Sequence, residues 1–171
     1  RQVRNGQTSR SQGTLSEAAS SMNVGQASSI LWMDAAETYF LLAEAKLRLN
    51  LGDKTVKEYY EEGVKTSFSS KGASGAESYL DNDVNVPSTS FIDPTNGRNT
   101  DVSRMVSTLT VKWDESASPD KKLERIMVQK WIALFPDGQE AWSEMRRTGY
   151  PGIVTINTNA SGGDCLLYTS D

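Results

Sequence analysis

Leu123–Pro151 reads LERIMVQKWIALFPDGQEAWSEMRRTGYP, and its periodicity and punctuation decide the fold class. Just upstream, Ser118–Pro119 supplies an N-cap and a proline at the first helical position, where its missing N–H is no loss. Leu123, Ile126, Met127, Trp131 and Leu134 follow at helical spacing on one face, with Val128, Ile132 and Phe135 on a second. Pro136 breaks the run. Asp137 and Glu140 then have capping-box spacing, with Asp in place of Ser or Thr. They open a further helix that carries Ala141, Trp142 and Met145 inward. Arg146 and Arg147 suit the negative end of its dipole, and Gly149 and Pro151 stop it.

Outward from this stretch, the next strong pattern is Met33–Leu51. Met33, Ala36, Phe40, Ala43 and Leu47 form one apolar stripe, and Tyr39, Leu42 and Leu49 extend it to a second side. Such a helix packs against more than one neighbour. Asp34 and Glu37 again have capping-box spacing. Asp34, Glu37, Glu44 and Arg48 share one narrow arc, with Glu44 and Arg48 an i,i+4 pair, and Gly52 ends the helix. After a short turn, Val56, Tyr60, Val64 and Phe68 recur every fourth residue from Thr55 onward. Gly63 sits inside that helix, where it costs about 1 kcal/mol relative to alanine. Close approach of the partner helix explains it. Helices are therefore predicted near 34–50, 55–68, 120–135 and 139–147, the first two as an antiparallel hairpin of the kind found in helical-repeat proteins.

The remainder is polar. Arg1–Ser29 and Ser69–Asn99 are rich in Ser, Thr, Asn and Gly; Arg1–Ser29 reads as irregular chain and Gly72–Asp101 as mostly loop, with a helical turn at Ala76–Leu80. Leu109, Val111 and Trp113 alternate with polar residues, a short extended segment at most. Asp81, Asp83 and Asn85 match the opening of a calcium loop, but Val86 replaces its glycine and Ile92 its closing glutamate. A polar turn is the better reading. The fold class is all-α: tetratricopeptide-like helical hairpins with long irregular loops.

Composition narrows function further. The chain has 171 residues, net charge −4 and mean hydropathy −0.51. Neither a basic nucleic-acid footprint nor an apolar run near the about 20 residues of a membrane-spanning helix is present in the sequence. There is no histidine and one cysteine, Cys165. That removes His-dependent nucleophile arrangements, His-ligated metal sites and disulfides within the chain. No catalytic residue, metal or cofactor is expected.

The segment Leu123–Pro151 closely resembles the C-terminal signature of the SusD/RagB-like outer-membrane lipoproteins, the nutrient-binding lipoproteins of Bacteroidetes. AETYFLLAEAKLRL (Ala36–Leu49) followed by YYEEGVKTSF (Tyr59–Phe68) resembles the same family's earlier helical hairpin. The resemblance implies tetratricopeptide-like helix pairs whose long loops form a ligand surface. It also implies a lipid anchor in the outer leaflet of the outer membrane, exposed at the cell surface. The partners it implies are an oligosaccharide or other nutrient and a TonB-dependent transporter that receives it. The family's signal peptide, lipid-bearing cysteine and N-terminal part have no counterpart here, so residues 1–164 are expected to be a C-terminal fragment of the helical domain, without the anchor. The tail beginning CLLYTS is what TGT CTC TTA TAC ACA TCT encodes, which resembles a transposase mosaic-end adaptor. Cys165–Asp171 is therefore expected to be non-native.

Trp131 and Trp142, on apolar faces, are expected in the core. Lys130, Glu144, Arg146 and Arg147 are expected to tie the last helix to neighbouring backbone and carboxylates. The ligand candidates are Trp113 and Tyr79, aromatics in polar surroundings suited to stacking on a sugar's C–H face. Asp81, Asn82 and Asp114 stand nearby in sequence to bond hydroxyls. The rival to a glycan-binding lipoprotein is a tetratricopeptide-type scaffold for peptides, with a concave helical face lined by Asn, Lys and Arg. A glycosidase would instead need two facing acids about 5–10 Å apart in a cleft.

Overall fold

A computed structural model describes residues 33–88, 90–92, 99–101 and 106–152. The polar stretch before residue 30 and the Cys165 tail lie outside them. Among the described residues the helices are α1 (Ala35–Leu49), α2 (Val56–Ser70), α3 (Ala76–Leu80), α4 (Pro119–Ala133) and α5 (Gly138–Thr148). All five predicted positions are helical, within a residue or two at each end.

Local chemistry explains where each begins. The Asp34 carboxylate accepts from the Ala36 N–H at 3.0 Å and starts α1. Glu37 does not reciprocate, because its carboxylate lies 3.4 Å from Lys130 Nζ. The reciprocal box forms instead at α2, where the Thr55 N–H donates to Glu58 and the Glu58 N–H to Thr55 Oγ1. Ser118 and Asp137 cap α4 and α5 through single bonds. The end of α1 differs from expectation. Asn50, not Gly52, takes the left-handed conformation that terminates it, at φ 56°.

The chain divides into two compact units. One, Ser29–Pro87 with Ser107–Gly152, holds every helix found among the described residues. There α1 and α2 pair as an antiparallel hairpin, and α1 also packs on α4. Phe40 and Tyr60 meet edge to face, with ring centroids 6.3 Å apart, and with Ala36, Ala43, Val64, Ile126 and Met127 they form the buried core. A Cβ on Gly63 would stand 2.8 Å from the Phe40 ring, so the helix approach anticipated there is real. In the other unit the described part is β1 (Ser90–Ile92) paired antiparallel with β2 (Asn99–Asp101), Phe91 opposite Thr100. That small hairpin falls within sequence read as loop. Three-residue strands are too short to show a period.

Two core assignments need correction. Trp131 is 37% exposed and Trp142 49% exposed. The face α4 buries runs through Leu123, Ile126, Met127, Lys130, Ala133 and Leu134, a regular three-four spacing whose central member is a lysine. Trp131 stands one residue, about 100°, around the helix from it.

Candidate functional site

Two constellations bear on function. The first is the neighbourhood of the sequence-predicted ligand residues. The stretch 107–117 is irregular, as a segment that alternates so briefly permits, and is fastened at successive residues. Arg125 Nε donates to the Thr110 carbonyl at 3.0 Å, and the Tyr60 hydroxyl to the Val111 carbonyl at 2.6 Å. The Lys112 N–H donates to the Asn82 carbonyl at 3.1 Å, and Lys112 Nζ pairs with Asp83 at 3.3 Å. Trp113 follows, half-buried. Its ring leans on Tyr60 at 5.2 Å between centroids, and Lys122 Nζ stands 5.9 Å from its centre. Its indole N–H donates to Glu115 Oε2 at 2.6 Å.

Of the five predicted residues, the structure brings the Asn82 turn against the strip that carries Trp113 and Asp114. Asn82 Oδ1 accepts from the N–H groups of Val84 and Asn85, which closes the polar turn. Asp114 is exposed and accepts from Ser116 through both hydroxyl and N–H, and those bonds hold its carboxyl below the usual range. Glu115 is lowered likewise, by Lys122 first and the indole second. Asp81 is exposed at the end of α3. Tyr79 is turned to other work. Its ring packs 5.2 Å from Phe68 and its hydroxyl donates to Gln129 at 3.0 Å, beside a hollow of about 30 Å³, far smaller than a sugar ring. Glu115, Lys122 and Arg125 were not singled out in sequence, and Tyr60 was read only as a member of its helix's apolar stripe. Only Glu115, two residues from the tryptophan, had a local signal.

The second constellation is a charge network under α5. Lys130, 1% exposed, has Glu144 at 3.3 Å, Glu37 at 3.4 Å and Glu140 at 3.8 Å. Arg147 spans both oxygens of Glu44, at 2.8 and 2.5 Å, and also bonds Glu144. Arg48 joins Glu44 from the next turn at 2.9 Å. Burial works to raise the Glu144 carboxyl, but the Arg147 bonds and Lys130 charge outweigh it and leave it lowered. Glu140 is raised, by burial first and by the Glu37 charge second. The sequence reading that Lys130, Glu144 and Arg147 tie the last helix to carboxylates therefore holds, while Arg146 stays exposed. Here the converging acids are neutralised by cations instead of facing one another across a cleft. An open hollow of about 490 Å³ between the start of α1 and the end of α2 carries one acid, Asp34, already bonded to Ala36 and Ser70. Among the described residues no group of three His, Cys, Asp or Glu is placed to hold a metal ion, and no helix is long and apolar enough to cross a membrane.

Known proteins match this chain in sequence and fold. The family described as SusD-like, the SusD and RagB outer membrane lipoproteins, matches residues 1–169. A chitin-binding SusD homolog from Flavobacterium johnsoniae is 45% identical with a TM-score of 0.71, over 78% of this chain and 27% of its own. A SusD homolog from Bacteroides uniformis is 42% identical with a TM-score of 0.74, over 82% of this chain and 29% of its own. One from Bacteroides thetaiotaomicron is 44% identical with a TM-score of 0.68, over 76% and 27%. No curated protein matches. The chain thus spans less than a third of the solved structures it matches. The family match over residues 1–169, joined to these likenesses, shows that the chain belongs to the SusD/RagB family.

Proposed function

We propose that this chain is the C-terminal part of a cell-surface nutrient-binding lipoprotein that captures an oligosaccharide without covalent chemistry. The whole protein hands its ligand to a TonB-dependent outer-membrane transporter. The observation that carries the reading is the family match over residues 1–169, joined to 45% identity with a chitin-binding homolog. Chitin-type oligosaccharides are therefore the first ligand class to try. Any contact from this chain is expected at the Trp113 strip, where Asp114 and the Asn82–Asp83 turn supply hydroxyl partners. Tyr79 and Asp81 are secondary, Tyr79 because its hydroxyl already serves Gln129.

The test is calorimetric titration of the full-length gene product with chitotetraose, xylotetraose, maltotetraose and a peptide library. Saturable binding of one saccharide is expected. Binding of peptides with no saccharide bound would favour the tetratricopeptide-type scaffold. A transporter gene of the TonB-dependent class is expected in the flanking DNA.

A further inference from the structure

Carbonyl groups of an irregular surface segment ordinarily turn to water. In this protein two successive ones do not. Thr110 is held by Arg125 of α4 and Val111 by Tyr60 of α2, while the next N–H, that of Lys112, is held by the turn after α3. Three consecutive residues are thus fastened to three separate elements, immediately before Trp113. Tyr60 acts twice, because the ring whose hydroxyl fixes Val111 also carries the Trp113 ring.

Arg125 is an unusual donor for this task. It is buried, and its Nη1 has neither solvent nor a hydrogen-bond partner among the described residues. A buried guanidinium with an unmatched donor is unfavourable for stability, and an apolar side chain of similar length would serve packing better. Its presence is accounted for by the bond it makes to Thr110.

We propose that Tyr60 and Arg125 are positioning residues that hold 110–112, so that Trp113 is presented to a saccharide in one orientation before the ligand arrives. Ordering completed in the free protein is not charged against binding. The proposal rests on the reading that Trp113 touches the ligand.

The experiment uses the full-length protein and its Tyr60→Phe, Arg125→Met and Trp113→Ala variants. Chitotetraose affinity, thermal melts and hydrogen exchange of the Lys112 amide are measured on each. Tyr60→Phe and Arg125→Met are expected to speed Lys112 exchange and to raise Kd by about tenfold, the size of one lost ordering contribution. Arg125→Met is expected to melt no lower than the parent, a result that a purely structural role for the arginine does not give. Unchanged Lys112 exchange in both variants would overturn the proposal. So would faster exchange at parental affinity while Trp113→Ala abolishes binding. Parental affinity in Trp113→Ala would instead overturn the ligand reading, and the positioning role with it. If the parent binds no chitotetraose, the ligand class is wrong, and Lys112 exchange still decides whether the fastening exists.

Discussion

A buried ammonium needs compensation from its surroundings, and Lys130 finds three carboxylates within 3.8 Å. Replacing it by methionine keeps the volume but leaves Glu37 and Glu144 crowded together without their cation. Lys130→Met is expected to lose about 3–5 kcal/mol, the range for breaking a buried charge pair by removing one partner. Trp131→Ala, next to it but partly in water, is expected to lose about 1 kcal/mol, near the middle of ordinary substitutions. Denaturant melts give the order, and a larger loss for Trp131 would reverse the burial assignment. Gly63→Ala tests the core from the other side. A methyl 2.8 Å from a fully buried ring forces the two helices apart, and overpacking of this kind costs about 1–3 kcal/mol, enough to outweigh the gain in helix propensity. These residues also mark where the sequence was readable. Gly63 was, because glycine inside a strong helix has few explanations. Lys130 was readable as an anchor but not as the middle of the buried stripe. Counting only apolar side chains moved the stripe one position round to Trp131, although the spacing through Leu123, Ile126 and Met127 already passed through the lysine.

At the scale of elements, α5 is held differently from the rest. Its backbone approaches α4 but not α1, which it reaches through Arg147 and Glu44. Its docking is therefore expected to respond to pH with opposing signs. Glu144, lowered in the folded state, contributes stability that is complete above its ordinary value of 4.5 and is lost as pH falls through its folded value. Glu140, raised in the folded state, does the reverse: its contribution is complete below 4.5 and fades as pH rises through its folded value. Amide protection in 138–148 should hold at pH 7 and decline below about pH 4.5. Glu140→Gln should leave protection at pH 7 equal or higher. Loss of protection on raising the pH from 5 to 7 in the parent would mean that Glu140 dominates. The helices themselves were legible because caps and periodicity agree. The absence of reciprocal capping at Asp34 and Asp137 was not, since Glu37 and Glu140 are drawn to Lys130, and a distant cation leaves no trace in a local window.

At the scale of the molecule, the described residues leave an apolar demand unfilled. Trp131, Ile132, Phe135 and Trp142 are all exposed, around the end of α4 and along α5. Isolated exposed hydrophobics are ordinary, whereas several on adjoining elements are a liability for association. Expressed alone, the 171 residues are expected to self-associate and to melt without cooperativity. Trp131→Gln with Phe135→Ser and Trp142→Gln should restore monodispersity in size-exclusion chromatography. Unchanged association in the triple variant would place the cause elsewhere. The fold was the most legible property of this sequence and the ligand the least. Helical order is written in short-range spacing, while a binding surface depends on which loops come together, as the Asn82 turn does with Lys112.

The contact between Glu44 and Arg147 joins residues 103 apart in sequence. On a ribosome adding about 5–20 residues per second, the glutamate waits roughly 5–20 s for its partner to be made. During that interval α1 and α2 can already pair, since a short turn joins them and closing it loses little entropy. Until Arg147 appears, Glu44 has the Arg48 of its own helix as a temporary counter-ion, 2.9 Å away in the finished protein. Arg48 thus gives the nascent hairpin a means of keeping its acidic edge neutral while the last helix is still unmade.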